Sequence, residues 1–415
     1  MFTYNKLLEI YFITRRNKRR SEDSILFEIE YEKKIIKLAD ALNNRHYRAN
    51  GNYTFITQNP GANGCREVFA AELSTRILHH YINEELKDVM EHELTPYTFN
   101  NRKDKGVAAA VNHVKQAIYE YSNGFTEDVY IIKWDLKAFF MCIKHDIIYK
   151  KVMDLIDDNL VGIYDEQRID DLKWLIYICI YANPAKHCSR KSPDEKWLMV
   201  EMHKSLFNQP VGQGAAIGFL IWQMFINFYH NDIDKWFANE LRLPYARFVD
   251  DAMALVKNKK AALAYIFPQL REKYKELNIK IQDKKFYCQH YSKGVKFCGS
   301  TIKYNRIYPN KRTVRSLTRK IIGFNKVKDK KKFIKDFVNS INSYFGILKQ
   351  CNSNRIIIES VRRINEQWFE YVQWNPHRRI IEPKPCYDFH HSLSDRYGLE
   401  IEHFNKKHKY YYGKP

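Results

Sequence analysis

Val129-Tyr130-Ile131-Ile132-Lys133-Trp134-Asp135 and Tyr245-Ala246-Arg247-Phe248-Val249-Asp250-Asp251-Ala252-Met253-Ala254-Leu255-Val256 are the two stretches on which the fold turns. The first is β-branched and aromatic, the composition of a strand, and it ends at a carboxylate. The second is two short apolar runs around adjacent acids, the pattern of a hairpin turning at Asp250-Asp251. Asp is common in hairpin turns for backbone reasons alone. Here the pair is flanked by Phe248, Val249, Met253 and Leu255, so the hairpin is expected to lie in a core and to deliver its turn inward. Hard divalent cations need oxygen ligands from more than one strand, because one strand cannot surround them. Asp135 and Asp250-Asp251 meet that need. Two ions so held let one activate a hydroxyl while the other holds a triphosphate and its leaving group.

Working outward, the first 60 residues read as helical. They carry a basic run, Arg15, Arg16, Lys18, Arg19 and Arg20, that is either a solvated helix face or a phosphate contact. Asn59-Pro60-Gly61 signals a turn before Arg66-Glu67-Val68-Phe69-Ala70-Ala71, a short strand or the start of a helix. Residues 72–93 alternate at helical spacing, and the polar stretch 100–105 leads through Gly106 into another helix. Residues 214–237 lack proline, have glycine only at their start, and read as one long buried helix. An amphipathic helix over 260–277 precedes several short strands within 279–308. From 311 to 371 the pattern is helical and basic, with Lys326, Lys328, Lys330, Lys331 and Lys332 in one loop. After Trp374 no period is visible.

A chain of 415 residues is too long for one ordinary domain, so two or three packed subdomains are expected. Apolar residues at 45% and aromatics at 15% supply a large core. The formal net charge is +21, an excess that points to a polyanionic partner, nucleic acid ahead of anionic membrane. The longest apolar run, 214–229, contains Gln223 and Asn227 and falls short of the ~20 residues a bilayer needs. The opening residues show no apolar core of a secretory signal. Eight cysteines are scattered with no CxxC pair, as in a reducing compartment, so a cytoplasmic location is expected.

Trp134-Asp135-Leu136-Lys137-Ala138-Phe139-Phe140 followed by Arg247-Phe248-Val249-Asp250-Asp251 resembles, in order and spacing, motifs A and C of reverse transcriptases. Arg66 to Ala70 resembles the first fingers motif, and 204–218 with Gln223 to Asn227 resembles motif B. Residues 289–299 are similar to the primer-grip region, and 338–346 to the start of a thumb. These last two runs, with the long lead-in to motif B, are most similar to reverse transcriptases of bacterial diversity-generating retroelements.

The resemblance implies an α+β right-hand polymerase of fingers, palm and thumb, with an antiparallel palm sheet and a helical thumb. Its divisions would be an N-terminal segment and fingers at 1–125, a palm at 126–308 containing the motif B helix 214–237, a thumb at 309–373, and a C-terminal extension at 374–415. Asp135 and Asp250 would bind two Mg²⁺ ions (Mn²⁺ being the alternative), with Asp251 supporting the second and the Leu136 carbonyl as a further ligand. Lys285 would protonate the pyrophosphate leaving group. Arg66 would contact the incoming triphosphate, and Phe140 would exclude a ribose 2′-hydroxyl. Ile217, Gly218 and Gln223 would border the nucleotide, and Trp222, Phe297 and Gly299 the primer and template. Surface or core packing is the other reading of Arg66, Phe140 and Trp222.

Motif B departs from the pattern. Ala216-Ile217-Gly218 stands where most of the family has Pro-Gln-Gly, and Phe219 and Trp222 stand where the retroelement group is polar. On the expected helix Trp222 lies four residues after Gly218, on roughly the same face. The activity implied is RNA-directed synthesis of cDNA from dNTPs on a dedicated non-coding or template RNA, with an accessory protein or a second reverse transcriptase as partner. Two roles follow: an antiphage defence system, or the mutagenic enzyme of a diversity-generating retroelement. A reading of another class is a catalytically silent RNA-binding scaffold on a polymerase fold.

With this charge, RNA affinity is expected to fall at least tenfold between about 50 and about 200 mM salt, as bound counterions are released. Filter binding across that range checks it, and a flat profile contradicts a phosphate-led interaction.

Overall fold

The structure, a computed structural model, describes residues 2–16, 22–49, 51–58, 65–186 and 188–387. The chain divides into two compact units, Met1–Cys298 with Ile302–Asn305, and Gly299–Thr301 with Arg306–Pro415.

In the first unit, helices Tyr4–Arg15, Glu22–Glu28 and Tyr31–Asn43 precede strand β1, Gly51–Gln58. Residues 51–58 are therefore extended, where a helix was expected. Tyr53, Thr54, Phe55, Ile56 and Thr57 are all β-branched or aromatic and alternate between half-buried and buried, which suits a pleated strand. β1 pairs antiparallel with β2, Cys65–Ala71. Helices Leu73–Glu93 and Val107–Tyr121 lead to β3, Tyr130–Trp134. Further on, β4, Ser189–Arg190, lies parallel beside β1. β5, Tyr245–Phe248, β6, Asp251–Val256, and β7, Tyr287–His290, join β3 in an antiparallel sheet of order β5-β6-β3-β7.

The register decides where the acids go. Trp134 pairs with Ala252 and Phe248 with Asp251. One residue further along β3, Asp135 therefore comes level with Asp251, at the same end of the sheet as the β5–β6 turn. That turn is Val249-Asp250, and Asp251 already belongs to β6, so it falls one residue earlier than expected. Trp134, Phe237 and Tyr245 stack behind these strands at centroid spacings of 5.3 and 4.8 Å. The Trp134 indole N–H donates to the buried Tyr274 hydroxyl at 3.1 Å. A wide aromatic column thus backs the two strands that carry the carboxylates.

The single helix expected over 214–237 is instead a loop followed by three helical pieces. Regular helix runs Leu220–Tyr229 and Asn231–Lys235, and then widens into a π turn at Trp236–Glu240. Residues 214–219 stay outside because Gly214 and Gly218 sit at φ +100° and +107°, in the left-handed region that L side chains avoid. At Gly218 the space is also closed: a Cβ there would lie 2.4 Å from the Phe69 carbonyl oxygen. The Phe69 N–H donates to the Ile217 carbonyl at 2.8 Å. The loop before the helix is thereby stitched to β2.

Strands β8, Val295–Phe297, β9, Ser300–Lys303, and β10, Arg306–Pro309, follow β7. The second unit then packs helices Lys311–Asn325, Ile334–Lys349 and Asn354–Arg362 around Phe337 and Trp368, stacked at 4.0 Å. A hairpin of β11, Val372–Asn375, and β12, Ile380–Pro383, is bound to one of these helices through Asn342. The boundary expected at 373/374 falls inside β11. Residues 388–415 of the extension lie outside the described residues.

Two basic runs need correction. Lys330 is buried, donating to the Val327 carbonyl at 3.0 Å and to Gln367 Oε1 at 2.8 Å. It closes its own loop and is not available to a phosphate. Lys326, Lys328 and Lys332 are exposed. Arg15 pairs with Glu28 at 2.7 Å and is largely covered, while Lys18, Arg19 and Arg20 lie outside the described residues.

Gly218→Ala is expected to destabilise the protein by about 2–3 kcal/mol, because neither the φ angle nor the Phe69 carbonyl leaves room for a methyl group. Urea melts of the two proteins check this.

Candidate active site

Asp135 leaves β3 with its backbone fixed on both sides. Gln282 N–H donates to the Asp135 carbonyl at 2.8 Å, and Lys137 N–H to the Lys280 carbonyl at 2.9 Å. These bonds frame the isolated bridge between Leu136 and Ile281 and do not use the Leu136 carbonyl. The chain then turns sharply, with Ala138 at φ +47°, into the short helix Phe139–Cys142. Phe140 is half-buried, edge-on to Phe139, and its carbonyl accepts the Ala215 N–H at 2.7 Å. The Phe140 position is thereby coupled to the loop that ends in Ile217 and Gly218.

Val249, a β-branched residue, sits at φ +58°, a conformation costing roughly 1–3 kcal/mol. Two contacts impose it. Asn100 Oδ1 accepts the Val249 N–H at 2.9 Å, and Arg247 Nη1 donates to the Val249 carbonyl at 3.2 Å. Arg247 is itself wholly buried. It donates to both oxygens of Asp234, at 2.8 and 2.5 Å, and to the Asn227 carbonyl at 3.1 Å. Tyr245 O–H donates to Asp234 Oδ1 at 2.8 Å, and Asn227 Nδ2 to the Asn100 carbonyl at 2.7 Å. One connected polar network inside the core therefore shapes the turn that presents Asp250.

At that turn, burial pushes the Asp250 carboxyl above the usual carboxylate range, and the charge of Asp135 adds to the rise; Arg66 and Lys133 oppose it. Asp135 accepts from Lys285 Nζ through Oδ2. Asp251 accepts from Lys133 Nζ through Oδ1, and through Oδ2 from the Cys298 N–H at 3.0 Å. Burial brings the Lys133 amine down to about 8, against the upward pull of Asp135 and Asp250.

The structure thus brings together Asp135, Asp250, Asp251, Lys285 and the charge of Arg66, with Phe297 under the Lys133 ammonium at 5.6 Å. Gly299 follows Cys298 at φ +75°. It does not bring Trp222 and Gly218 onto one helix face, because the helix begins after Gly218. Trp222 is 3% exposed and lies against His145 at 5.2 Å, with Phe219 buried against His79. Gln223 points to solvent.

Lys133 was missed, although two-residue alternation in the first strand sets it on the face of Asp135. Asn100, Asn227 and Asp234 were missed as well. They lie in helical or loop context, and only the fold joins them to Arg247.

The donor chemistry suits hard divalent ions: two close carboxylates, Asp135 and Asp250, and a carbonyl at Leu136. Among the described residues no group of three His, Cys, Asp or Glu side chains is gathered to hold a metal. Both oxygens of Asp251 are engaged by protein donors, Lys133 Nζ and the Cys298 N–H.

Residues 58–302 match the reverse transcriptase (RNA-dependent DNA polymerase) family, and the chain belongs to it. That family consists of nucleotidyltransferases, with an RT-like polymerase fold of helices and antiparallel sheets. No curated protein matches the chain. Among solved structures, apo telomerase from Candida tropicalis is similar at 11% identity and a TM-score of 0.46, over 81% of this chain and 63% of that one. The same telomerase truncated from its C-terminal domain is similar at 11% identity and a TM-score of 0.44, over 67% and 60%. The chain thus spans less than two thirds of either telomerase. Among the described residues, no helix is long and apolar enough to cross a membrane.

Asp250→Asn is expected to raise the melting temperature of the metal-free protein at pH 7. A carboxyl raised on folding costs stability while ionised, and the cost vanishes as pH falls below its raised value. The gain from the substitution should therefore shrink on acidification. Melts at pH 7 and pH 4 in EDTA test the sign.

Proposed function

We propose that this chain synthesises DNA on an RNA template, and that the RNA is a dedicated non-coding RNA of a bacterial antiphage defence system. The observation that carries the polymerase reading is the meeting of Asp135 and Asp250 at one end of the β5-β6-β3-β7 sheet, with the charge of Arg66 reaching Asp250 from β2. In this reading β1, β2 and β4 belong to the fingers, the β5-β6-β3-β7 sheet is the palm, and the basic helices after Asn310 are the thumb.

Asp135, Asp250 and the Leu136 carbonyl would hold the Mg²⁺ ions, which supply charge neutralisation and an activated 3′-hydroxyl when bound. Arg66 receives the triphosphate of the incoming nucleotide. Phe140 closes the space beside the sugar, so a deoxyribose fits and a ribose collides. Lys285 donates to Asp135 from the rim of the site, poised to pass a proton to the departing pyrophosphate. Ile217 and Gly218 border the nascent pair from a loop fixed to β2, and Gln223 faces solvent on the helix beyond. Phe297 and Gly299 flank the turn at which a primer end would rest.

A second role, mutagenic synthesis in a diversity-generating retroelement, is favoured by one observation. Phe219 and Trp222 are core residues, so the bulk that separates this motif B from the retroelement pattern is not turned toward a base pair. The defence reading leans on the extension from 374 onward. Sequencing the RNA that co-purifies, and the cDNA made from it, distinguishes the two. A single fixed product supports defence, and scattered substitutions relative to the template support the retroelement.

Asp250→Asn with Asp251→Asn is expected to abolish DNA synthesis while leaving RNA binding intact, because the Asp250 amide keeps the shape and loses the charge that divalent ions need, and the Asp251 amide can still accept from the Cys298 N–H. Primer extension beside filter binding measures both. Synthesis by the double mutant at the wild-type rate would overturn the assignment of the active site to these carboxylates.

A further inference from the structure

We propose that Asp251 is a positioning residue, a latch that fixes the Phe297-Cys298 turn to the carboxylate hairpin and so sets where a nucleic-acid strand end lies beside Asp135 and Asp250. The second half of this statement rests on the polymerase reading above.

The three carboxylates are held in different ways. Asp135 is 27% exposed and bound by Lys285, a side chain that is itself 59% exposed, so that contact exchanges readily with solvent or ligand. Burial disfavours the charge of Asp250, and the charge of Asp135 disfavours it further. Of the three, Asp251 alone has both oxygens engaged, one by a backbone amide and one by a largely covered lysine. Oδ2 accepts a backbone N–H, that of Cys298, at 3.0 Å. Oδ1 accepts from Lys133, whose side chain is only 13% exposed and whose backbone is locked in β3 between Met253 and Tyr287.

The turn on the other side is equally constrained. Phe297 is fully buried beneath the Lys133 ammonium, and Cys298 holds φ +47°. Just upstream, Gln289 Nε2 donates to the Gly294 carbonyl at 2.5 Å, and a Cβ on Gly294 would lie 2.8 Å from the Ile302 carbonyl. Lys133 from β3, Asp251 from β6 and the Phe297-Cys298 backbone after β8 thus close on one another. Burial pushes the Cys298 thiol up to about 12, so the thiol stays protonated and the amide is the group that matters. Removing the Asp251 carboxylate frees the amide and strands a buried ammonium at once. The turn then loses its reference to the hairpin that carries Asp250.

Hydrogen exchange over residues 295–298, on the full chain without metal or nucleic acid, reads the latch directly. The Cys298 amide should exchange about tenfold faster in Asp251→Ala, less so in Asp251→Asn, whose amide oxygen still accepts, and at the wild-type rate in Asp250→Asn. Wild-type exchange in Asp251→Ala overturns the latch. The second measurement is affinity for an RNA template annealed to a DNA primer, in EDTA. Asp251→Ala should bind about fivefold more weakly than wild type, with Asp250→Asn unchanged or tighter. Faster exchange with unaltered binding overturns the strand-placing role and supports the latch alone. A wild-type chain that neither binds nor extends the hybrid removes the polymerase reading, while the exchange comparison still decides the latch.

Discussion

A guanidinium and a carboxylate sealed from water, Arg247 and Asp234, form the contact on which the rest of the carboxylate-bearing sheet depends. Charges are expensive to bury, and removing one member of such a pair costs roughly 3–5 kcal/mol because the other is stranded. A hydrophobic pair of like volume would stabilise about as well, so the ion pair earns its place by geometry. Its donors reach Asp234, the Asn227 carbonyl and the Val249 carbonyl, and these fix the helix, the strand and the turn in one arrangement. Backbone bonds from Arg247 to Tyr97 and from Phe99 to Arg247 cover the edge of β5 with the 97–99 loop. A strained Val249 survives only inside so complete a frame.

A second set of contacts ties the loop before the Leu220–Tyr229 helix to β2. Glu67 is buried and accepts the Leu206 N–H at 2.8 Å, and the Phe69 N–H donates to Ile217. Between Glu67 and Phe69 the strand alternates, so Arg66, next to Glu67, faces outward toward the carboxylates while its neighbour is anchored inward. The same backbone that forbids a side chain at Gly218 sets the approach of Arg66 to Asp250. Position at this site is a backbone property, shared between a strand and a loop far apart in sequence.

What could be read from the chain follows this division. The strand ending at Asp135 and the hairpin at Asp250 were legible because a strand's composition and alternation are local. Strand β1 was not, since a short run among helices gives little period and its partner β2 begins only at Cys65. The long helix expected over 214–237 failed at its first residues, because hydrophobic content says nothing about a loop that must follow a neighbouring carbonyl. Trp222 was placed by helical spacing from Gly218, and lost that place when the helix began two residues after the glycine. Lys330 sits among lysines that read alike in sequence, and only burial against Trp368 and Gln367 separates it from the solvated ones. Buried polar groups such as Asn100 and Asp234 carry no local signature at all. Their meaning is in partners that the fold supplies.

The carboxylate cluster is also a neutral one. Asp135, Asp250 and Asp251 face Lys285, Lys133 and Arg66, three negative groups against three positive. The three cations offset part of the repulsion between Asp135 and Asp250, so these carboxylates are not left unpaired until metal arrives. An approaching polyanion meets no repulsive field there, and is drawn in by the net positive charge of the surrounding chain. A divalent ion, under the proposed function, would have to displace an ammonium group from a carboxylate, as in ion exchange. Under the proposed function, template and metal would then be able to assemble in either order on a site that is already charge-balanced.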